Sequence, residues 1–515
     1  MWEEPLCPDP FRVREPNKAP RSLKIAQPSK AGVLKGVETS PARDERTACR
    51  PSGTLFSFTF EDPSAKALGY FRIVLWPLSP IAAQRPLPTF AEARLSIMAR
   101  RILNAAMEAL RIFRSLDKTQ RATFLACFLG WTLDALDFFL LTFVVKDVAA
   151  EFSVSIVKVT FAITLTLMMR PLGALIFGLL GDRFGRRVPL MVDIIFYSLM
   201  ELLTAFSPNY TIFLVFRALY GVGMGGEWGL GASLAMESLP ARARGLASGV
   251  LQQGYAFGFL LAAVVYWVVF PHFGWRALFV VGALPALLVI YIRAHVPESP
   301  VWERQQPTGS PSLGFGRFMK EHWRLFIYAV LLMTAFNYMS HGTQDLYPTF
   351  LQKQRGLSVN QTASIAIIYN LGAICGGTLL GYLSQNLGRR RTIMIAAVLG
   401  IFLIPVWILS PTIPLLIVGG FFMQFMVQGA WGVVPIHLNE LSPPAWRGTF
   451  PGVVYQLGNF FSANAAMLQA KLAEHFVRPN GQPNYALTMA CVTLAVFLVL
   501  IFLAAIGREE RGREF

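Results

Sequence analysis

The sequence predicts an all-α membrane protein of twelve transmembrane helices, arranged as two pseudo-symmetric halves of six helices each. Three observations predict it. The chain of 515 residues is 54% hydrophobic and only 15% charged, where soluble domains run nearer a quarter charged. Its apolar residues gather into twelve runs of roughly 20 residues, the length that crosses a bilayer. The chain also repeats itself at an offset of 203 residues, so the second half is a copy of the first.

Residues 1–115 read as a disordered segment, rich in Pro, Arg, Lys and Ser and without sustained periodicity. Its one apolar patch, Phe71 to Ala83, contains Pro77 and Pro80 and is too short to span. A long polar stretch precedes that patch, which argues against a signal peptide. Met98 or Met107 would serve as a start just before the first helix, so a misplaced upstream start codon is a second expectation for this segment.

The first half, 116–295, holds spans near 122–145, 156–180, 188–206, 211–237, 245–269 and 277–294. A linker, 296–321, leads to the second half, 322–507, with spans near 324–350, 360–384, 392–410, 413–438, 448–470 and 485–506. A short tail, 508–515, follows. Basic residues cluster before the first span (Arg111, Arg114, Lys118, Arg121) and in alternate connections (Arg183, Arg186 and Arg187; Arg242 and Arg244; Arg304, Arg317 and Lys320; Arg389 to Arg391; Arg447). By the positive-inside rule both termini, linker and tail are cytoplasmic, in a plasma or inner membrane. The net charge of +16 is therefore a topological signal rather than a nucleic-acid-binding stripe. The five cysteines (Cys7, Cys49, Cys127, Cys375, Cys491) are scattered, so neither a disulfide framework nor a metal site is expected. The lipid bilayer is the one large partner expected, and the protein reads as a monomer.

The repeat pairs Trp228-Gly229 with Trp431-Gly432, Glu237 with Glu440, Arg244-Gly245 with Arg447-Gly448, and Gly249 with Gly452. It also pairs Gly178, Gly185, Arg186 and Arg187 with Gly381, Gly388, Arg389 and Arg390. Parallel halves of equal length suit a transporter whose substrate binds near the midplane between them. A duplicated structural bundle without transport is the plainer alternative.

Between the second and third spans lies Gly178-Leu-Leu-Gly181-Asp182-Arg183-Phe-Gly185-Arg186-Arg187. It resembles the loop motif of the major facilitator superfamily, as do Arg217-Ala-Leu-Tyr-Gly221-Val-Gly223 in the fourth span and Val296-Pro297-Glu298-Ser299-Pro300 after the sixth. The resemblance implies a cytoplasmic gate in which Asp182 pairs with basic groups such as Arg244 in one state and releases them in the other. Arg186 and Arg187 are equally explained by the positive-inside rule. The second copy carries Gln385 in place of Asp182, which weakens any ionic latch there. The gating set is thus Asp182, Arg183, Arg186, Arg244 and Arg217, the last expected to pair with a carboxylate or a carbonyl.

A narrower resemblance lies in the seventh span. Asn337-Tyr-Met-Ser340-His341-Gly-Thr343-Gln344-Asp345-Leu-Tyr-Pro-Thr349 fills every fixed position of the signature of Jen-type monocarboxylate permeases, within the sialate–proton symporter group. Trp131-Thr-Leu-Asp134-Ala-Leu-Asp137-Phe138-Phe139 and Arg170-Pro-Leu-Gly173-Ala174 are similar to that group as well. The resemblance implies import of lactate, pyruvate or similar short monocarboxylates with a proton.

Ionisable groups inside spans are costly and ask for a role. At 1.5 Å per residue, Arg170 lies roughly 18 Å above Asp182, near the midplane. It can hold a carboxylate through two parallel hydrogen bonds; a structural ion pair with Asp134 or Asp137 is the alternative. Asp134 lies about 20 Å along the first span from Arg121, and at the repeat offset it pairs with Asn337, as Asp137 does with Ser340. Either aspartate can carry the coupling proton, or both simply neutralise Arg170. Asn337, His341, Gln344 and Asp345 fall on one helical face. Asn337 and Gln344 read as polar supports for the substrate, and His341 with Asp345 as an outer proton acceptor. A packed core histidine is the alternative for His341. Glu227, opposite Ala430 in the repeat, is a weaker proton candidate, and Asp193 and Glu201 receive no role.

These expectations describe a rocker-switch symporter of one monocarboxylate with one proton and no cofactor. A sialate or aromatic-acid symporter and a transport-inactive nutrient sensor are its rivals. An enzyme fits poorly, because the spans carry no metal-ligand spacing, nucleotide loop or convincing nucleophile–base pair.

Overall fold

A computed structural model of the chain describes residues 111–304, 315–513 and 515. The reading of the N-terminal segment as disordered or misassigned falls, apart from the helical residues 111–115, outside the described residues. The rest is helical; among the described residues the one extended pairing is an isolated bridge between Val477 and Pro483.

Nine helices among the described residues are long and apolar enough to cross a membrane. In the first half they are span 1 (Lys118–Phe143), span 2 (Ile156–Phe184), span 3 (Arg187–Ala205) and a long helix, Ala241–Val281, that contains span 5. In the second half they are span 7 (Lys320–Gln354), span 8 (Asn360–Leu387), span 9 (Arg389–Leu409), span 10 (Ile413–Leu441) and span 12 (Tyr485–Ile506).

The other three predicted spans depart from that standard for visible reasons. Span 4, Tyr210–Ser238, is a 29-residue helix, but six glycines and three charged residues dilute its hydrophobicity. Span 6 is broken. The helix turns at Gly274, whose φ is +71°, a turn of the chain unwinds over residues 282–285, and Ala286–His295 completes the passage. Span 11 is divided into Phe450–Ser462 and Ala465–His475.

Side chains capping the orphan N–H groups set several starts. Asp117 accepts from Gln120 N at 2.7 Å to open span 1, and Ser358 accepts from Gln361 N at 3.2 Å before span 8. The repeat is visible in the backbone: Gly185 and Gly388, 203 residues apart, have φ of +93° and +99°, a conformation that side chains disfavour.

Large apolar side chains such as Trp267, Phe402 and Phe502 are exposed along the spans. An apolar belt of this extent matches lipid rather than water. The halves meet where span 2 packs on the start of span 11 and where residues 241–252 pack on span 8.

Candidate functional site

A cavity of about 460 Å³ lies between the halves. Span 2 contributes Arg170, and glycines place it there. A Cβ on Gly221 would meet the Thr166 backbone and one on Gly225 the Arg170 backbone, so span 4 supports span 2 at contact distance and fixes where Arg170 projects. The Arg170 side chain is 3% exposed. Its Nε and Nη2 have no hydrogen-bond partner, and it makes no ion pair among the described residues. The alternative of a close structural pair with Asp134 or Asp137 is therefore not what this conformation shows.

Span 7 supplies Asn337, Ser340, His341, Gln344 and Asp345 to the same cavity, as their shared helical face predicts. Asn337 Nδ2 donates to the Met333 carbonyl at 2.8 Å. Gln344 Nε2 donates to Ser340 Oγ at 3.1 Å and to Gln424 Oε1 at 3.0 Å. His341 Nδ1 lies 3.0 Å from Asp345 Oδ2, and both side chains are about a third exposed (38% and 33%). The cavity is thus reached from the end where this pair sits. Its other end is walled by Tyr455, which stacks on Trp228 with ring centroids 4.3 Å apart.

The predicted carboxylates of the first half lie elsewhere. Asp134, Asp137 and Glu227 are fully buried within that half and do not line the cavity. Their carboxyl oxygens have no hydrogen-bond partner among the described residues. The first span turns Phe138 and Phe139 to the cavity instead, so the expected symmetric placement of Asp134 opposite Asn337 is not found. Arg217 also lies in this buried cluster. It pairs with Glu201 at 2.6 Å, both fully buried, and sits 4.2 Å from the Tyr220 ring centroid. The expected carboxylate partner is there, but Arg217 stands apart from the network around Asp182.

That network closes the end of the bundle opposite the His341–Asp345 pair. Asp182 Oδ1 accepts from Gly448 N at 2.6 Å and Asp182 Oδ2 from Thr449 N at 3.0 Å and Thr449 Oγ1 at 2.6 Å, all across the halves. Its ion-pair partner is Arg186 at 2.9 Å rather than Arg244; span 2 ends at Phe184 and the chain turns at Gly185, bringing Arg186 back against Asp182. Arg186 also reaches Glu237 at 3.2 Å, and Arg447 of the second half lies 3.9 Å from Glu237. Arg244 donates instead to the Leu239 and Arg513 carbonyls. Arg183 is exposed over its neighbour Phe184 and takes no part. In the second copy Arg389 bonds Glu440 at 2.9 Å and Gln385 at 2.8 Å, so glutamine replaces the missing aspartate as acceptor. Burial pulls the Arg447 guanidinium down to about 10, opposed by Glu237 and reinforced by Arg186, Arg513 and Arg244. Arg447 stays charged at neutral pH.

Sequence reasoning missed much of the cavity wall: Gln252, Gln253 and Tyr255 of span 5, Asn370 of span 8, Gln424, Gln428 and Trp431 of span 10, and Tyr455 and Asn459 of span 11. Paired glutamines in an apolar run were the available signal.

Comparison with known proteins places this geometry. The family model described as Major Facilitator Superfamily matches residues 127–463 and 346–514. The chain is 31% identical to a carboxylic acid transporter protein homolog of Saccharomyces cerevisiae, over 75% of this chain and 68% of the relative. It is 27% identical to the sialic acid transporter NanX of Escherichia coli (78% and 97% covered) and 28% identical to the niacin transporter NiaP of Acinetobacter baylyi (75% and 93%). Among solved structures it is similar to the proton:xylose symporter XylE, with a TM-score of 0.63, 19% identity, and 77% and 97% of the two chains covered. The human organic anion transporter MFSD10 gives a TM-score of 0.57 at 17% identity, covering 75% and 100%. The structural likenesses establish the fold.

Proposed function

The chain belongs to the Major Facilitator Superfamily, and we propose that it imports short monocarboxylates such as lactate and pyruvate together with a proton, by alternating access across the cell membrane. Membership makes it a transporter rather than an enzyme. The observation that carries the choice of cargo is Arg170. A buried guanidinium at a cavity wall, without an ion pair of its own, calls for an anion. The likeness to the yeast carboxylic acid transporter protein homolog supports the class.

The roles follow from position. The carboxylate docks on Arg170, with Asn337 and Gln344 as supports. His341 and Asp345, hydrogen-bonded to each other at the cavity mouth, take up the proton first. Asp134, Asp137 and Glu227 are the inner proton carriers, reached after the cavity closes. The basic clusters orient the Asp182 end to the cytoplasm, so the conformation described is the outward-facing one. Import follows when the Asp182 network parts.

The cavity also favours a second reading. Its aromatic walls (Tyr255, Trp431, Tyr455) and its volume exceed the needs of a three-carbon acid and suit a sialate or aromatic acid. One experiment tests both. Uptake of labelled lactate into proteoliposomes is measured at a fixed inward proton gradient while the membrane potential is varied and unlabelled acids of increasing size compete. One anion with one proton is electroneutral, so uptake should ignore a potential worth about 2.3 kcal/mol per charge per 100 mV. Uptake that tracks the potential contradicts this stoichiometry. Competition by nicotinate or sialate that far outranks lactate selects the second reading.

A further inference from the structure

The chain beyond span 12 does more than leave the membrane. Glu509 accepts from the backbone N–H groups of Arg389 and Arg390, each at 3.0 Å. In the first half Glu298 does the same for Arg186 and Arg187. After Glu509 the symmetry ends, because the chain turns into the seam between the halves. Gly512 N donates to Glu440 Oε1 at 3.2 Å, Arg513 Nη1 to the Glu440 carbonyl at 3.2 Å, and Arg244 Nη1 to the Arg513 carbonyl at 3.1 Å. The Phe515 ring then lies against two guanidinium groups, 3.9 Å from Arg244 and 4.1 Å from Arg447 at its centroid.

Those two arginines occupy the same place in the repeat, one in each half. They stand at the closed end, beside the Asp182 network. Aromatic faces attract guanidinium groups, and here one ring serves a cation from each half. When this end opens, the halves carry Arg244 and Arg447 apart, and a single ring cannot stay on both. We propose that Phe515, anchored through Gly512 and Arg513, is a clasp that holds this end shut and releases one arginine each time the transporter opens there. The clasp sets the balance between the two conformations without touching the substrate cavity. Any agent that draws the segment away would raise the open population.

The test reads distance directly. Spin labels are placed on Phe184→Cys and Leu387→Cys, exposed positions at the ends of spans 2 and 8, in full-length protein lacking its native cysteines and reconstituted in lipid. Pulsed electron resonance gives the fraction of molecules with the labels far apart. Phe515→Ala and deletion of 512–515 should each raise the ratio of open to closed molecules by roughly tenfold, the strength of the one partly buried cation–π contact that opening breaks. Phe515→Trp, which keeps a π face, should leave it near wild type. Thermal unfolding in detergent identifies any variant that fails to fold, and the deletion supplies a second route if the alanine variant does. An unchanged ratio in a folded Phe515→Ala or deletion variant overturns the clasp, as does a tryptophan variant as open as the alanine one.

Discussion

Asp182→Asn isolates the contact that ties the halves together. The carboxylate accepts one N–H from Gly448 and another from Thr449, together with the Thr449 hydroxyl, all across the seam, and it also pairs with Arg186 in its own half. Asparagine is nearly the same size but offers one acceptor oxygen. Its amide must face either the Gly448 N–H and the Arg186 guanidinium or the Thr449 N–H. At least one charged bond between the halves disappears and the others become neutral. Hydrogen bonds to charged groups contribute about 1.5–3 kcal/mol each, so the closed state loses roughly 2–4 kcal/mol. The open state has no cross-seam bonds to lose. At about 1.36 kcal/mol per tenfold, the ratio of open to closed should rise on the order of 30- to 1000-fold, enough to make the open form readily detectable. Distances between labels at Phe184→Cys and Leu387→Cys, with and without Asp182→Asn, report it. A distribution that does not move would show that Asp182 serves the local fold of its loop and not the closure of the seam.

Two further perturbations probe other parts of the fold. Glu201→Ala leaves Arg217 charged and fully buried without its 2.6 Å partner. Loss of one member of a buried pair costs about 3–5 kcal/mol, so thermal unfolding in detergent should show a large drop in midpoint; a midpoint within a degree or two of wild type refutes the pairing as structural. Gly229→Val places a Cβ 2.8 Å from the Gly452 Cα across the seam. It should prevent closure at the Asp182 end and shift the labelled pair to long distances, while wild-type distances would show that the seam has slack.

The spans and the repeat were legible because lipid and duplication write on many residues at once. A dozen apolar runs and a row of matches at one offset survive local exceptions. The shared face of Asn337, His341, Gln344 and Asp345 was legible for the same reason: helical spacing alone brings them to one wall. Four things were hidden. Gln252, Gln424 and Tyr455 line the cavity without charge, and an uncharged amide in an apolar helix looks like packing. The pairing of Asp182 with Arg186 rather than Arg244 depends on side-chain reach at a helix end, which the motif does not specify. The breaks in spans 6 and 11 keep the right length of chain in the right place, so hydropathy passes over them. The burial of Asp134 and Asp137 away from the cavity was beyond any periodicity, since helical phase fixes a residue's side but not what lies against it.

The central claim is that Arg170 holds a carboxylate driven in by protons. It is tested most directly by uptake of labelled lactate into proteoliposomes under an inward proton gradient, with Arg170→Ala and Arg170→Lys beside the wild type. Two charged hydrogen bonds at about 1.5–3 kcal/mol each predict wild-type uptake that depends on the gradient, a loss of roughly hundredfold or more in folded Arg170→Ala, and partial retention in Arg170→Lys. Lactate uptake that persists in Arg170→Ala, or wild-type uptake indifferent to the proton gradient, would contradict it.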